Sequence, residues 1–399
     1  VITITSFLHR DELHAIIRRW MYGNVLPSDA DDIVRIVHFN NACMETYLFS
    51  LAGSIFGHLH GGDISSRTVT RKGELKDIIV TDPPVRDARV DELVRRYRRH
   101  PGRYYRETPF RGTLFFATRE GRSFYIGSSR IKRMRRLAEK AARRIIDTFF
   151  SSLQEKAQVI SGDDRHNHED AAARPASVLQ GILTRKLQIA EEQFLDDLQC
   201  GRDITDIRNT PINDVAGIKV IIDPARAGDL LDFFRLRDDI DIIEKETHDS
   251  DYKATNFVIR YRPNRDALIA SCDYNRLHTA LATRGLDRDA VKREFEHFVI
   301  TAEDAVYLEI IVSSYQEMLE SEIGRCVHED RIILQRLHRE YRGHLARNIE
   351  YLMEYLFVFA HSPARDIPEL PIKLWNHYLP DYFDAVLKDL FAIPRNHDL

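Results

Sequence analysis

Between Asn213 and Val312, short β-branched runs closed by turn residues alternate with helix-period stretches, and few architectures accept that alternation. The run Gly217-Ile-Lys-Val-Ile-Ile-Asp ends at an Asp-Pro turn. Asp241–Lys245, Thr255–Tyr261 and Val306–Val312 supply three more strand candidates, with a helix expected over Gly228–Leu236. Upstream, Gly112–Thr118 and Arg122–Gly127 flank Arg119-Glu120-Gly121, the pattern of a β-hairpin. Apolar stripes at helical period predict helices over 8–21, 28–57, 131–159 and 177–200, and the Pro-broken tail ends in an amphipathic stretch at Tyr382–Phe391. The expected class is α/β (α+β), with a mixed sheet of about four to five strands, flanking helices, and helical N- and C-terminal extensions. The expected division is a mixed helical and hairpin domain over 1–130, the α/β core over 131–330 and a helical extension over 331–399.

Composition narrows the functional classes. The 399 residues are 43% apolar and 30% charged with only 14 Pro and 18 Gly, which excludes collagen-like and low-complexity chains. The longest apolar run, near Tyr355–Ala360, is too short to span a bilayer, and nothing resembles a signal peptide, so the expected address is cytoplasmic with no membrane partner. Cys43, Cys200, Cys272 and Cys326 are widely separated and form no CxxC pair, so neither a zinc site nor a disulfide framework is expected. His166, His168, Glu169 and Asp170 sit in a polar, turn-rich stretch that reads as a solvated loop rather than a metal site.

The net charge of −4 conceals an asymmetry. Residues 1–150 carry 27 Lys+Arg against 17 Asp+Glu, a net +10, whereas the remainder carries 31 against 45, a net −14. The excess is concentrated in Arg95–Arg106 and Arg130–Arg144. Guanidinium groups interleaved with Tyr97, Tyr104 and Tyr105 make nucleic acid or a polyphosphate a candidate partner, against the plainer reading of solvated basic helix faces.

Metal-assisted transfer between nucleotides needs carboxylates at strand ends, cations for phosphates and an aromatic face for a base. The α/β stretch contains each. Asp214 precedes the Gly217 strand, and Glu309 interrupts an apolar strand, where a carboxylate must face away from the core. Arg174 opens the stretch as a cation, and Tyr252 brings an aromatic ring just before the third strand.

These residues resemble the synthetase domain of the RelA/SpoT family, the alarmone synthetases, whose core has a nucleotidyltransferase fold. Arg174-Pro175-Ala176 is similar to that family's Arg-Pro-Lys element, and Asn213–Ile221 to its Asp-Leu-x-Gly-Ile-Arg strand. Asp251–Asn256 resembles Gly-Tyr-Gln-Ser-x-His, and Glu309–Ser314 resembles Glu-Ile-Gln-Ile-Arg-Thr, followed at the family's spacing by Glu322 and His328. The elements occur in the family's order over about residues 131–330, half of the chain. Lys219, Ile311, Ser313 and Asn256 stand where the family has Arg, Gln, Arg and His. No histidine-aspartate hydrolase signature occurs in 1–130.

The resemblance implies Mg²⁺-dependent pyrophosphate transfer from ATP to a guanosine nucleotide or an RNA 3′-hydroxyl. Asp214 and Glu309 would be the catalytic and metal-binding carboxylates, with Glu309 alternatively the general base, and Arg174, Lys219 and Tyr252 would bind nucleotide. The alternative is a catalytically degenerate module of the same fold that binds nucleotide, RNA or a partner protein without chemistry.

Overall fold

The computed structural model describes residues 2–163, 176–202, 210–249, 253–324 and 343–394. Strand β1 (Ile2–Thr3) is followed by helices α1 (Arg10–Met21) and α2 (Asp29–His60), then β2 (Ile64–Arg71), α3 (Lys72–Thr81), α4 (Ala88–Arg99) and the hairpin β3 (Pro109–Arg119) and β4 (Arg122–Ile131). Long helices α5 (Met134–Asp163) and α6 (Ala176–Gln199) lead to β5 (Thr210–Pro211), β6 (Ala216–Ile221), α7 (Ala227–Arg235), β7 (Ile240–Asp249) and β8 (Lys253–Tyr261). Helices α8 (Arg265–Ser271), α9 (Tyr274–Leu281) and α10 (Arg288–Thr301) precede β9 (Val306–Ser313) and α11 (Tyr315–Leu319). The last two elements are α12 (His344–Phe359) and α13 (Pro380–Leu390). None of the described helices is long and apolar enough to cross a membrane.

Seven strands form one mixed sheet in the order β2-β3-β4-β6-β9-β8-β7. The α+β class agrees with the expectation from sequence, but the sheet is larger than four to five strands, for two physical reasons. The hairpin does not stand apart: β4 pairs antiparallel with β6, so hydrogen bonding runs unbroken past residue 130. Strand β2 carries a single buried residue, Val69, in an otherwise polar stretch, so no hydrophobic alternation announces it, and it forms because the free edge of β3 offers it partners.

The two faces of the sheet are covered differently. On one face Ile218, Val220, Leu308, Ile310, Phe257 and Ile259 join the main core with α2 and α12. Helix α2 spans about 48 Å at the usual rise per residue. It buries the stripe from Ile33 to Leu59, each large side chain contributing roughly 1.5–3 kcal/mol. Its close approach needs a glycine: a Cβ on Gly127 of β4 would lie 2.5 Å from the Phe56 ring and 2.2 Å from the Lys219 carbonyl.

On the other face a second core lies mainly over β2, β3 and β4 and reaches Ile221 at the end of β6; in it Val69, Phe110 and Leu114 pack with Leu93 and Tyr97 of α4 and with Met318, Leu319 and Ile323. The part of that face formed by β9, β8, β7 and the first residues of β6 lies outside this second core and carries a cleft.

Glu322, singled out above by its spacing from Glu309, is turned into the second core. Its carboxylate accepts a 2.6 Å hydrogen bond from the Lys72 ammonium, and both side chains are under a tenth exposed. We expect Glu322→Gln to lower unfolding free energy by about 3–5 kcal/mol, because it removes one charge from a buried, hydrogen-bonded ion pair. The double replacement Lys72→Met/Glu322→Leu should recover most of that loss. Urea midpoints of the three proteins check both statements.

Candidate functional site

Strand register sets the floor of the cleft. Gly217 of β6 pairs in parallel with Glu309 of β9, Glu309 lies opposite Val258 of β8, and Val258 lies opposite Glu244 of β7. Residues directly opposite one another share a face, so these four make one row across the sheet. The next row is Lys219, Ile311, Asn256 and Glu246. Gly217 is required here: an added Cβ would lie 2.5 Å from the Glu309 carbonyl oxygen and 3.2 Å from its Cβ. Glycine thus lets β6 approach β9 and leaves the space beside the Glu309 carboxyl empty.

The loop entering β6 supplies Asp214, and the N-terminal segment holds that loop in place. Ile212 N–H donates to the Thr3 carbonyl at 2.8 Å, and the Thr5 hydroxyl donates to the Ile212 carbonyl at 2.9 Å. On the far side, Lys132 N–H donates to Val215 O at 2.8 Å, which extends the β4–β6 ladder by one bond. Helix α5 then contributes Lys140 and Arg144. The resulting cleft has a volume of about 400 Å³ and is lined by Lys140, Arg144, Asn213, Asp214, Glu244, Glu246, Asn256, Val258 and Glu309, among others.

Two of its carboxylates, Asp214 and Glu309, have their proton affinities displaced in opposite directions. Burial opposes ionisation of Asp214, but the Lys132 and Lys140 ammoniums both donate to its Oδ2 and together hold the carboxyl down at about 2. Oδ1 of the same group is buried with no hydrogen-bond partner. Burial dominates at Glu309 and pushes it above the ordinary range; Lys132 and Lys140 work against the rise, and the charge on Asp214 adds to it. Burial, reinforced by Lys132, lowers Lys140. Asn256 stands where the resembling family has His. Its side-chain nitrogen lies 3.3 Å from His248 Nε2, and its Oδ1 is buried without a partner.

Of the site residues expected from sequence, Asp214 and Glu309 line one cleft, and Lys219 lies in the adjacent row on the same face. Arg174 and Tyr252 lie outside the described residues, as do His328, Cys326 and the stretch around His166. Sequence reasoning missed Lys132, Lys140 and Arg144 as site residues because they were absorbed into the basic run Arg130–Arg144. It also missed Glu244 and Glu246, whose i, i+2 spacing in a strand was the available signal. Among the described residues no cluster of three or more His, Cys, Asp or Glu side chains has the arrangement of a metal centre. The two carboxylates fit a magnesium site only in part: the unpartnered Oδ1 of Asp214 is a free anionic ligand, and Mg²⁺ usually takes one or two carboxylates and completes its shell with water and phosphate oxygens. No family model, no curated protein and no solved structure matches the chain.

The charge states predict opposite pH responses, measured without divalent cations. Asp214 is depressed in the fold, so its contribution to stability is present above about pH 4 and is lost as pH falls toward 2. Asp214→Asn should therefore destabilise the protein at neutral pH, by about 3 kcal/mol, and the difference should shrink on acidification. Glu309 is raised, so its ionisation costs stability once pH exceeds the ordinary range near 4.5. Glu309→Gln should melt higher than wild type at pH 8 and no higher at pH 4. Melting curves across this range check both signs.

Proposed function

We propose that the cleft transfers a pyrophosphoryl group, in the manner of the RelA/SpoT synthetases that the sequence resembles, from ATP to the hydroxyl of a guanosine nucleotide or an RNA 3′ end. The observation that carries the reading is the pair of carboxylates at Asp214 and Glu309, which share one cleft with their affinities for protons displaced in opposite directions. Such a divergence separates a group that stays charged from a group able to take a proton.

In this reading the acceptor hydroxyl oxygen attacks the β-phosphorus of ATP, the bond between the β-phosphorus and its bridge to the α-phosphate breaks, and AMP leaves. Glu309 takes the hydroxyl proton. Its desolvated carboxylate is a stronger base than an exposed one, and its place in β9 holds it rigidly against Gly217. Lys140 and Arg144 form the cationic wall that receives phosphate oxygens, with Lys219 in the row behind. Asp214 would hold Mg²⁺ through its free Oδ1, which leaves Glu309 for the proton. When bound, the ion would neutralise charge developing on the phosphates.

A second reading, a nucleotide- or RNA-binding module of the same fold without catalysis, is favoured by one observation. Oδ2 of Asp214 already carries two ammonium groups, which compete with any metal for its charge. The residues Ile311 and Ser313, standing where the family has Gln and Arg, point the same way.

The two readings separate in a transfer assay with γ-labelled ATP, Mg²⁺ and GDP, GTP or tRNA as acceptor. The enzyme reading expects Glu309→Gln to cut the rate by about 10²–10⁴-fold while raising the melting temperature at pH 8. Loss of activity then cannot be loss of fold. No transfer by the wild type to any acceptor, alongside nucleotide binding, decides for the binding module; transfer that survives both Glu309→Gln and Asp214→Asn rejects this cleft as the catalytic site.

A further inference from the structure

A second cleft, of about 450 Å³, lies at the C-terminal end of α4 and is lined by Glu92, Arg95, Arg96, Arg99, His100, Arg103 and Tyr104. Its origin is local. Helix α4 buries Val90, Leu93, Val94 and Tyr97 in the second core, which leaves Arg95, Arg96 and Arg99 on the outward side. The chain then folds through the short 3₁₀ turn Pro101–Arg103 and brings Arg103 and Tyr104 back alongside them. We propose that this cleft is a binding site for a compact polyphosphate group, distinct from the cleft at Glu309.

Charge is the first argument. Four guanidinium groups face one carboxylate, Glu92, and that carboxylate is already shared: Arg89 contacts it at 2.9 Å and Arg96 only at 4.0 Å. No ion pair or side-chain hydrogen bond engages Arg95, Arg99 or Arg103 among the described residues. Elsewhere in the molecule arginines are mostly partnered, as Arg89 is with Glu320 and Arg106 with Asp77. Unpaired like charges around one concavity repel one another, and an anion with several phosphate oxygens relieves that repulsion while meeting the planar forks that arginine presents.

Rigidity is the second. The fully buried Lys76 donates from Nζ to the Tyr104 carbonyl at 2.8 Å, Tyr104 N–H donates to the Pro101 carbonyl at 3.2 Å, and the Tyr104 ring packs on Tyr97 at 5.2 Å between centroids. The turn that carries Arg103 is therefore held before any ligand arrives, which lowers the ordering cost of binding.

Shape selects the ligand. A pocket of this volume suits a nucleotide-sized molecule. A nucleic-acid strand needs a track of stacking platforms, and here Tyr104, the one aromatic lining ring besides His100, is turned against Tyr97. Clustered phosphates match the clustered arginines better than a diester backbone with one charge per nucleotide.

The test titrates the full-length chain with inorganic tripolyphosphate, with Mg-free ATP and with a single-stranded RNA oligonucleotide, at about 50 mM salt, where exposed charges are only partly screened. We expect saturable tripolyphosphate binding that weakens about tenfold or more in Arg99→Ala/Arg103→Ala, weakens less in Arg99→Lys/Arg103→Lys, and is unchanged in Arg288→Ala/Arg293→Ala, at two exposed arginines of α10 that line neither cleft. All four positions are at the surface or cleft rim, and melting curves check that each variant is folded. Tighter binding of ATP than of tripolyphosphate at the arginine cleft identifies the ligand as a nucleotide polyphosphate; equal binding identifies the phosphate chain alone. The proposal is overturned by an absence of tripolyphosphate and ATP binding, by binding indifferent to the Arg99/Arg103 substitutions, or by arginine-dependent binding of the RNA alone. Because the readout is binding at α4, it holds or fails whatever the outcome of the transfer assay.

Discussion

Strands β6 and β9 lie side by side in parallel at the centre of the sheet, although helices and two other strands separate them in sequence. Parallel pairing needs such a crossover, and it is paid back only when both faces of the central strands find partners. One face does so through the main core against α2. The other cannot be wholly apolar, because Glu309 occupies it, and Gly217 opposite removes the side chain that would otherwise fill the space. The close backbone approach that closes the sheet is thus the same feature that leaves a cavity at a half-buried carboxyl.

Electrostatics in that cavity follows from how each charge is delivered. Asp214 sits on a loop clamped between the N-terminal segment and Lys132, so two ammonium groups reach one of its oxygens. Glu309 is mounted on a central strand, half-buried at the floor of the cleft, and no ammonium is hydrogen-bonded to it among the described residues. Two carboxyls in one cleft consequently hold protons differently. The acidic edge at Glu244 and Glu246 and the cationic wall at Lys140 and Arg144 give the cleft a polarity from one end to the other.

The second core shows how much charge this fold buries for structural ends. Lys72 and Lys76 are both inside it, one against Glu322 and the other against a main-chain carbonyl. Their presence explains why Glu322, at a spacing that resembles a functional helix, is engaged in packing. It also explains why the arginine-rich α4 can be fixed at the surface: its apolar side and the turn after it are anchored from within, so the guanidinium groups are displayed on a rigid support.

Much of this was legible in the sequence. The β-branched runs at Gly217, Thr255 and Val306, the hairpin around Gly121 and the long helix from Asp29 are all strands or helices at close to the expected bounds, because period and turn chemistry act locally. A carboxylate inside an apolar strand pointed to Glu309, and its position before a strand pointed to Asp214. Strand β2, by contrast, has no hydrophobic alternation to read, and its place depends on an edge supplied by β3. The membership of the hairpin in the central sheet, the arrival of Lys132 and Lys140 at Asp214, and the facing of Glu244 and Glu246 toward Glu309 are outcomes of register. Register is fixed by contacts between residues far apart in the chain, and no local pattern encodes it. The sequence by itself determined which residues can carry charge into strands and turns; the tertiary structure decided which of those charges meet, because pairing and burial set both their distance and their protonation.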